Sequence, residues 1–193
     1  MIITIARQCG SGGLLIGEEL AKHYKIPFYT TQHLQEMAHQ KGLDEKMADF
    51  FEEYPVNSLL FAITQSDNMG HVTEQMRDDL ASLIGDSDCI ILGRCGNYIF
   101  KDRKDCVSVF LKGDHDRRVE FMSAFRSISI DAARELVDKQ DDGRRAYHNY
   151  YTGQTWGDAQ NYDLCIDSNR LGFDHTTRII TSYIDELRRA GAL

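Results

Sequence analysis

The chain has 193 residues with 42% hydrophobic and 10% aromatic content, enough for one domain with a substantial core or one domain carrying a small inserted lobe. A net charge of −8 argues against nucleic acid as a bulk electrostatic partner, because phosphate backbones are gripped by an excess of Lys and Arg. No apolar run approaches the ~20 residues of a membrane span and no basic stretch precedes MIITI, so the expectation is a soluble, cytoplasmic protein without a membrane partner.

Five short apolar runs are expected to be strands: IITIA (2–6), IPFY (26–29), CIILG (89–93), CVSVFL (106–111) and DLCID (163–167). Helical patterns lie between them, over Leu15 to Tyr24, Val72 to Leu83 and Arg117 to Arg126, with Asp114 as an N-cap for the last. A final helix, His175 to Arg189, places Ile179, Ile180, Tyr183, Ile184 and Leu187 at helical spacing, with basic residues in its last turn and Gly191 beyond. Continuous apolar strands alternating with helices predict an α/β fold with a mostly parallel sheet covered on both faces. The interval 30–87 is too long for a simple crossover and reads as an inserted helical lobe. Residues 131–161 open as a helix and end in AYHNYYTGQTWGDAQNY, an aromatic and polar composition that suits a mobile flap.

In such sheets ligands bind beyond the carboxyl ends of the strands, so the residues just after each strand matter most. After the first comes ARQCGSGGLLIGEELA, the strand–glycine turn–helix order of a phosphate-binding loop. Gly10, Ser11, Gly12 and Gly13 would let backbone N–H groups converge on an anion. The same glycines also suit a tight turn with no ligand. A G-x-x-x-x-G-K-[ST] loop would need a lysine and a hydroxyl where Gly13, Leu14 and Leu15 stand. Arg94 follows the third strand directly, where a guanidinium either holds a phosphate bidentately or pairs with one of the many acids. Arg144 and Arg145, near Asp138, Asp141 and Asp142, either close over a transferring phosphoryl group or pair along a solvated helix. Arg117 and Arg118 read as a solvated helix face. The five cysteines form no C-x-x-C pair, and Cys89, Cys106 and Cys165 read as buried reduced thiols inside strands, while Cys95 is a candidate reactive thiol. The seven histidines have no metal-ligand spacing, so no metal is expected to be held by protein ligands.

The stretches ITIARQCGSGGLLIGEELAKHYKIPFY, CIILGRCGNYIF and YHNYYTGQTWGDAQNYDLCIDSNRLG together resemble the cytidylate kinase-like family, a branch of the P-loop nucleoside monophosphate kinases. The resemblance implies a P-loop fold with a five-stranded parallel core (1–29, 88–130 and 162–193), a monophosphate-binding lobe (about 30–87) and a lid (about 131–161). It implies phosphoryl transfer from ATP, with Mg²⁺, to a small nucleotide such as CMP or dCMP. Gly10, Ser11, Gly12, Gly13 and Leu14 then surround the donor phosphates, with Asp167 and Ser168 beside the donor base. Arg94 takes the acceptor phosphate, with Arg77 and Cys95 on the acceptor side. Asp141 and Arg144 match the lid pattern, followed by Arg145, Tyr147, Tyr150 and Tyr151.

The chain also departs from that pattern. The better-known cytidylate kinases carry Lys at the position of Gly13, Asp at that of Leu92 and an acid at that of Cys95. The cytidylate kinase-like branch shares these losses but usually has Arg at the position of Leu14, and Asp where this chain reads Thr30-Thr31. Between 30 and 75 the lysines and arginines are Lys41 and Lys46 alone. A replacement cation would come from Arg7, beside the loop, or from Arg144. The alternative reading is a catalytically degenerate relative that binds a nucleotide or phosphorylated ligand without efficient transfer.

Overall fold

The computed structural model describes residues 1–51, 69–85 and 87–193, the side chains of 44, 46, 49 and 69–76 excepted. The five apolar runs form five parallel strands: β1 (Ile2–Arg7), β2 (Phe28–Tyr29), β3 (Cys89–Leu92), β4 (Cys106–Lys112) and β5 (Leu164–Asp167). Their order is β2-β3-β1-β4-β5. β1 is central, pairing Ile2 with Cys89 on one side and with Cys106 on the other. The helices are α1 (Gly13–Tyr24), α2 (Thr31–Gln40), α3 (Asp44–Phe51), α4 (Met69–Ile84), α5 (Gly96–Ile99), α6 (His115–Arg126), α7 (Ile130–Thr152), α8 (Ser168–Leu171) and α9 (Phe173–Arg189).

The two faces of the sheet follow from strand alternation. Ile3 and Ile5 of β1 and Ile90 and Leu92 of β3 pack with Ile16 and Leu20 of α1 and Ile180 and Ile184 of α9. Ile2, Cys89 and Ile91 point the other way, onto Leu34 of α2, Leu80 of α4, Ile99 of α5 and Tyr147 of α7. Gly17 lets α1 approach the sheet edge, where a Cβ would lie 2.5 Å from the Phe28 ring. Asp114 caps α6 as its sequence predicts, its carboxylate accepting from the backbone N–H groups of Asp116 and Arg117. Between 30 and 87 the described residues form α2, α3 and α4; 52–68 and 86 lie outside them. No described helix is long and apolar enough to cross a membrane.

Two expectations are corrected. The aromatic run 146–162 begins as core: the 23-residue α7 carries it as far as Thr152, and Gly153 ends the helix. Ala133, Val137, Asp141, Tyr147, His148 and Tyr151 are all buried, and Tyr147 and Tyr151 join the core. These residues recur at helical spacing, a period that outweighs the polar composition. The other correction concerns the strand cysteines: Cys89 is buried, Cys106 half-buried and Cys165 exposed, because β5 is an edge strand.

Gly17→Ala is expected to lower stability by about 1–3 kcal/mol through overpacking against Phe28. A shifted urea midpoint with an unchanged slope checks it.

Candidate active site at the strand ends

The turn from β1 into α1 takes a phosphate-loop shape. Gly12, the N-cap of α1, is left-handed at φ 75°, no side chain caps the helix, and no acid lies in its first turn. The N-terminal N–H groups of α1 therefore face a cleft of about 550 Å³ rather than a carboxylate. Ser11 is buried, and its hydroxyl donates to Gln8 O at 2.8 Å, so it shapes the loop from within.

Three other elements hold this loop. Asp141 on α7 is 7% exposed; its Oδ1 accepts from the Cys9 N–H at 2.6 Å and its Oδ2 from Arg118 Nη1 at 2.7 Å. Arg118, 4% exposed, also donates to Cys9 O and, through Nε, to Gly113 O. From the end of β5, Ser168 Oγ donates to Ser11 O at 2.7 Å and the Asn169 amide to Gly10 O at 3.0 Å. Asp141 is thus a positioning residue for the loop, and Arg118 is no solvated helix residue. Asp167 caps α8 through its contact with the Arg170 N–H.

The cations arrive from three directions. Arg7 ends β1, and its stem lies across the start of α1, where a Cβ on Gly13 would sit 2.9 Å from Arg7 Cγ. Its guanidinium reaches on to Gly93 after β3, where an added Cβ would collide with Arg7 Nη1. Arg144 of α7 is ion-paired with Asp141 at 3.9 Å, and its guanidinium donates to Arg7 O at 3.3 Å and to Gln140 at 2.9 Å. Arg94 stands after β3 with Cys95, both left-handed at φ 54°. Such backbone strain costs about 1–3 kcal/mol per residue and collects at functional sites. The Arg94 guanidinium donates to Thr31 Oγ1, Phe50 O and Phe51 O and lies 4.9 Å from the Tyr147 ring centre. Arg7, Arg94 and Arg144 line one small cavity of about 60 Å³, together with Asn97, His148 and Trp156.

The other expected residues lie elsewhere or act differently. Arg77 is 3.4 Å from Asp102 and does not line this cavity. Lys41 donates to the Ser82 and Leu83 carbonyls at the end of α4, and the side chain of Lys46 lies outside the described residues. Cys95 lines the cavity but is buried, and burial pushes its thiol up to about 12, which makes it unreactive. Arg145 pairs with Asp142 in solvent. The Tyr147 hydroxyl donates to Phe50 O at 2.8 Å, and Tyr150 packs edge-on against Tyr151. Leu14 is exposed at the mouth of the cleft, which Leu15 also lines. Among the described residues no group of three His, Cys, Asp or Glu could hold a metal ion.

The profile of the cytidylate kinase-like family matches residues 2–170. The chain belongs to this family. A protein named cytidylate kinase from Methanopyrus kandleri is 24% identical over 197 residues, covering 97% of this chain and 94% of the relative. A solved structure of an uncharacterized protein from Eubacterium ventriosum is 29% identical at a TM-score of 0.73, covering 96% of this chain and 98% of that one. The shikimate kinase of Bacteroides thetaiotaomicron aligns at a TM-score of 0.54 with 12% identity, over 96% of this chain and 98% of its own, and shares the fold alone. The α/β P-loop fold expected of a cytidylate kinase-like chain is the one observed. Asn169, His148 and Trp156 were not among the residues singled out from the sequence, and Arg118 was read there as a solvated helix residue. Only their tertiary placement reveals them.

Two outcomes follow for this family member. Asp141→Ala leaves Arg118 buried without its carboxylate and is expected to cost about 3–5 kcal/mol, read by denaturant unfolding. His148 has its pKa pushed from 6.5 down to about 4 by burial. Between those values the unfolded chain takes up a proton that the folded chain does not. The stability contribution is therefore complete above pH 6.5 and lost as pH falls toward 4, by about 3 kcal/mol over the window. Comparing urea unfolding of wild type and His148→Phe at pH 7 and pH 4.5 should show a smaller acid loss in the variant.

Proposed function

We propose that the protein is a nucleoside monophosphate kinase that passes the γ-phosphoryl group of ATP to CMP, dCMP or a related small phosphate acceptor. The observation that carries this reading is the convergence of Arg7, Arg94 and Arg144 on one cavity beside the uncapped start of α1. The donor phosphates lie along Gly10 to Leu14 in the cleft, on backbone N–H groups and the helix dipole. An acceptor phosphate oxygen attacks the γ-phosphorus, the bond to the β–γ bridging oxygen breaks, and ADP leaves with that electron pair. Catalysis of this transfer is positioning plus cationic stabilisation of the equatorial oxygens. Arg7 supplies the charge of the missing lysine, because Gly13 leaves its stem room to cross the helix start. Arg144 adds a second charge from α7, and Arg94 orients the acceptor. Magnesium has no ligand set of its own among the described residues, and in this reading it is a companion of the nucleotide's phosphates.

A second reading, binding without efficient transfer, draws on the Arg94 guanidinium, which already donates to Thr31 and to the Phe50 and Phe51 carbonyls. ATP supplied with each (d)NMP, followed by ADP release, separates the two. Turnover with CMP or dCMP supports the kinase. Thermal stabilisation by ATP or CMP with no turnover on any acceptor supports the binding protein.

Arg7→Ala and Arg144→Ala are each expected to lower the single-turnover rate by roughly 10²–10⁴-fold with the circular dichroism spectrum unchanged. Leu14→Arg, at an exposed position, is expected to raise the rate or tighten ATP binding. Gly13→Lys is expected to fail at this, because its Cβ displaces Arg7. Equal rates in wild type and both alanine variants would remove these arginines from the chemistry.

A further inference from the structure

Phosphoryl transfer leaves one feature of the arginine cavity unused. His148 is 3% exposed, and its Nε2 is buried with no hydrogen-bond partner among the described residues. Leaving such a nitrogen unsatisfied is costly, and most buried polar atoms in folded proteins have a partner. The surroundings narrow what that partner is. Three guanidinium groups line the same cavity as the imidazole, whose pKa is lowered by burial. Its neighbours in the lining include neutral groups held in place by the fold. Asn97 is buried, and its amide donates to Asn161 O at 3.4 Å. The Trp156 indole stands edge-on to Phe110 at 5.3 Å, and Phe110 also meets Tyr162 at 5.1 Å.

We propose that His148 is a specificity-determining residue whose Nε2 hydrogen-bonds an uncharged polar group of the acceptor while Arg94 holds the acceptor's phosphate. This rests on the kinase reading. A cavity of about 60 Å³ takes only a few water-sized groups, so an edge of the acceptor enters beside His148 rather than a whole nucleoside. An imidazole that stays neutral at pH 7 offers one N–H and one lone pair. A sugar hydroxyl satisfies either, and the polar edge of a base satisfies one. The ring is too weak a base near neutrality to take a proton from the acceptor, so it recognises rather than reacts.

Titration calorimetry of wild type, His148→Phe and His148→Gln with CMP, dCMP, ribose 5-phosphate and inorganic phosphate tests this. CMP affinity is expected to fall about 10–100-fold in His148→Phe and to recover in part in His148→Gln, with inorganic phosphate binding alike to all three. A parallel loss for ribose 5-phosphate assigns the contact to a sugar hydroxyl. Loss confined to CMP and dCMP assigns it to the base edge. Equal CMP affinity in all three proteins overturns the inference and leaves the kinase reading standing. Loss of CMP and inorganic phosphate together in His148→Phe, without recovery in His148→Gln, also overturns it, because the arginine end has then been disturbed. A wild type that binds neither CMP nor inorganic phosphate overturns the kinase reading and this inference with it.

Discussion

The buried carboxylate of Asp141 is the constraint on which the rest of the site depends. One oxygen takes the Cys9 N–H and the other takes Arg118, which in turn binds Cys9 O and Gly113 O. This links the phosphate-loop turn, the exit from β4 and the middle of α7 in one network with little access to water. Inside a low dielectric such a network is stiff when complete and costly when broken. It fixes the height of α7 against the sheet, and so it also sets where Arg144 and His148 stand, one and two turns further along the same helix.

In the proposed reading, the charge around the loop comes from outside α1. A lysine at the start of α1 would reach the phosphates from the helix. Here the Arg7 stem, at the end of β1, packs against Gly13, where a Cβ would crowd it. The turn keeps its left-handed Gly12 and its uncapped helix start, which are backbone features that a change of side chains leaves intact. Backbone geometry and side-chain charge then come from different elements, the turn from α1 and the proposed cations from β1 and α7.

Strand positions, the parallel α/β class and the cap at Asp114 were legible in the sequence because each depends on local pattern: apolar runs, turn residues and spacing. The extent of α7 was legible in principle, since Ala133, Val137, Asp141, Tyr147 and Tyr151 share a helical face, but the polar and aromatic composition of 146–162 hid that period. What the sequence could not reveal depends on distant partners. Arg118 looks like any arginine on a helix until Asp141, 23 residues on, is seen beside it. His148 looks like a surface residue until the fold buries it in the lining of the arginine cavity. Arg94 was placed correctly at the strand end, whereas its contacts with α2 and α3 are tertiary.

The central claim is that the glycine turn is a working phosphate site whose charge comes from Arg7 and Arg144. A crystal structure with a non-hydrolysable ATP analogue and CMP tests it most directly. The account predicts the β- and γ-phosphates on the backbone of residues 10–15, with a guanidinium of Arg7 or Arg144 within hydrogen-bond distance of a γ-oxygen. Phosphates bound elsewhere, or bound on the loop with both arginines still turned away, would contradict it.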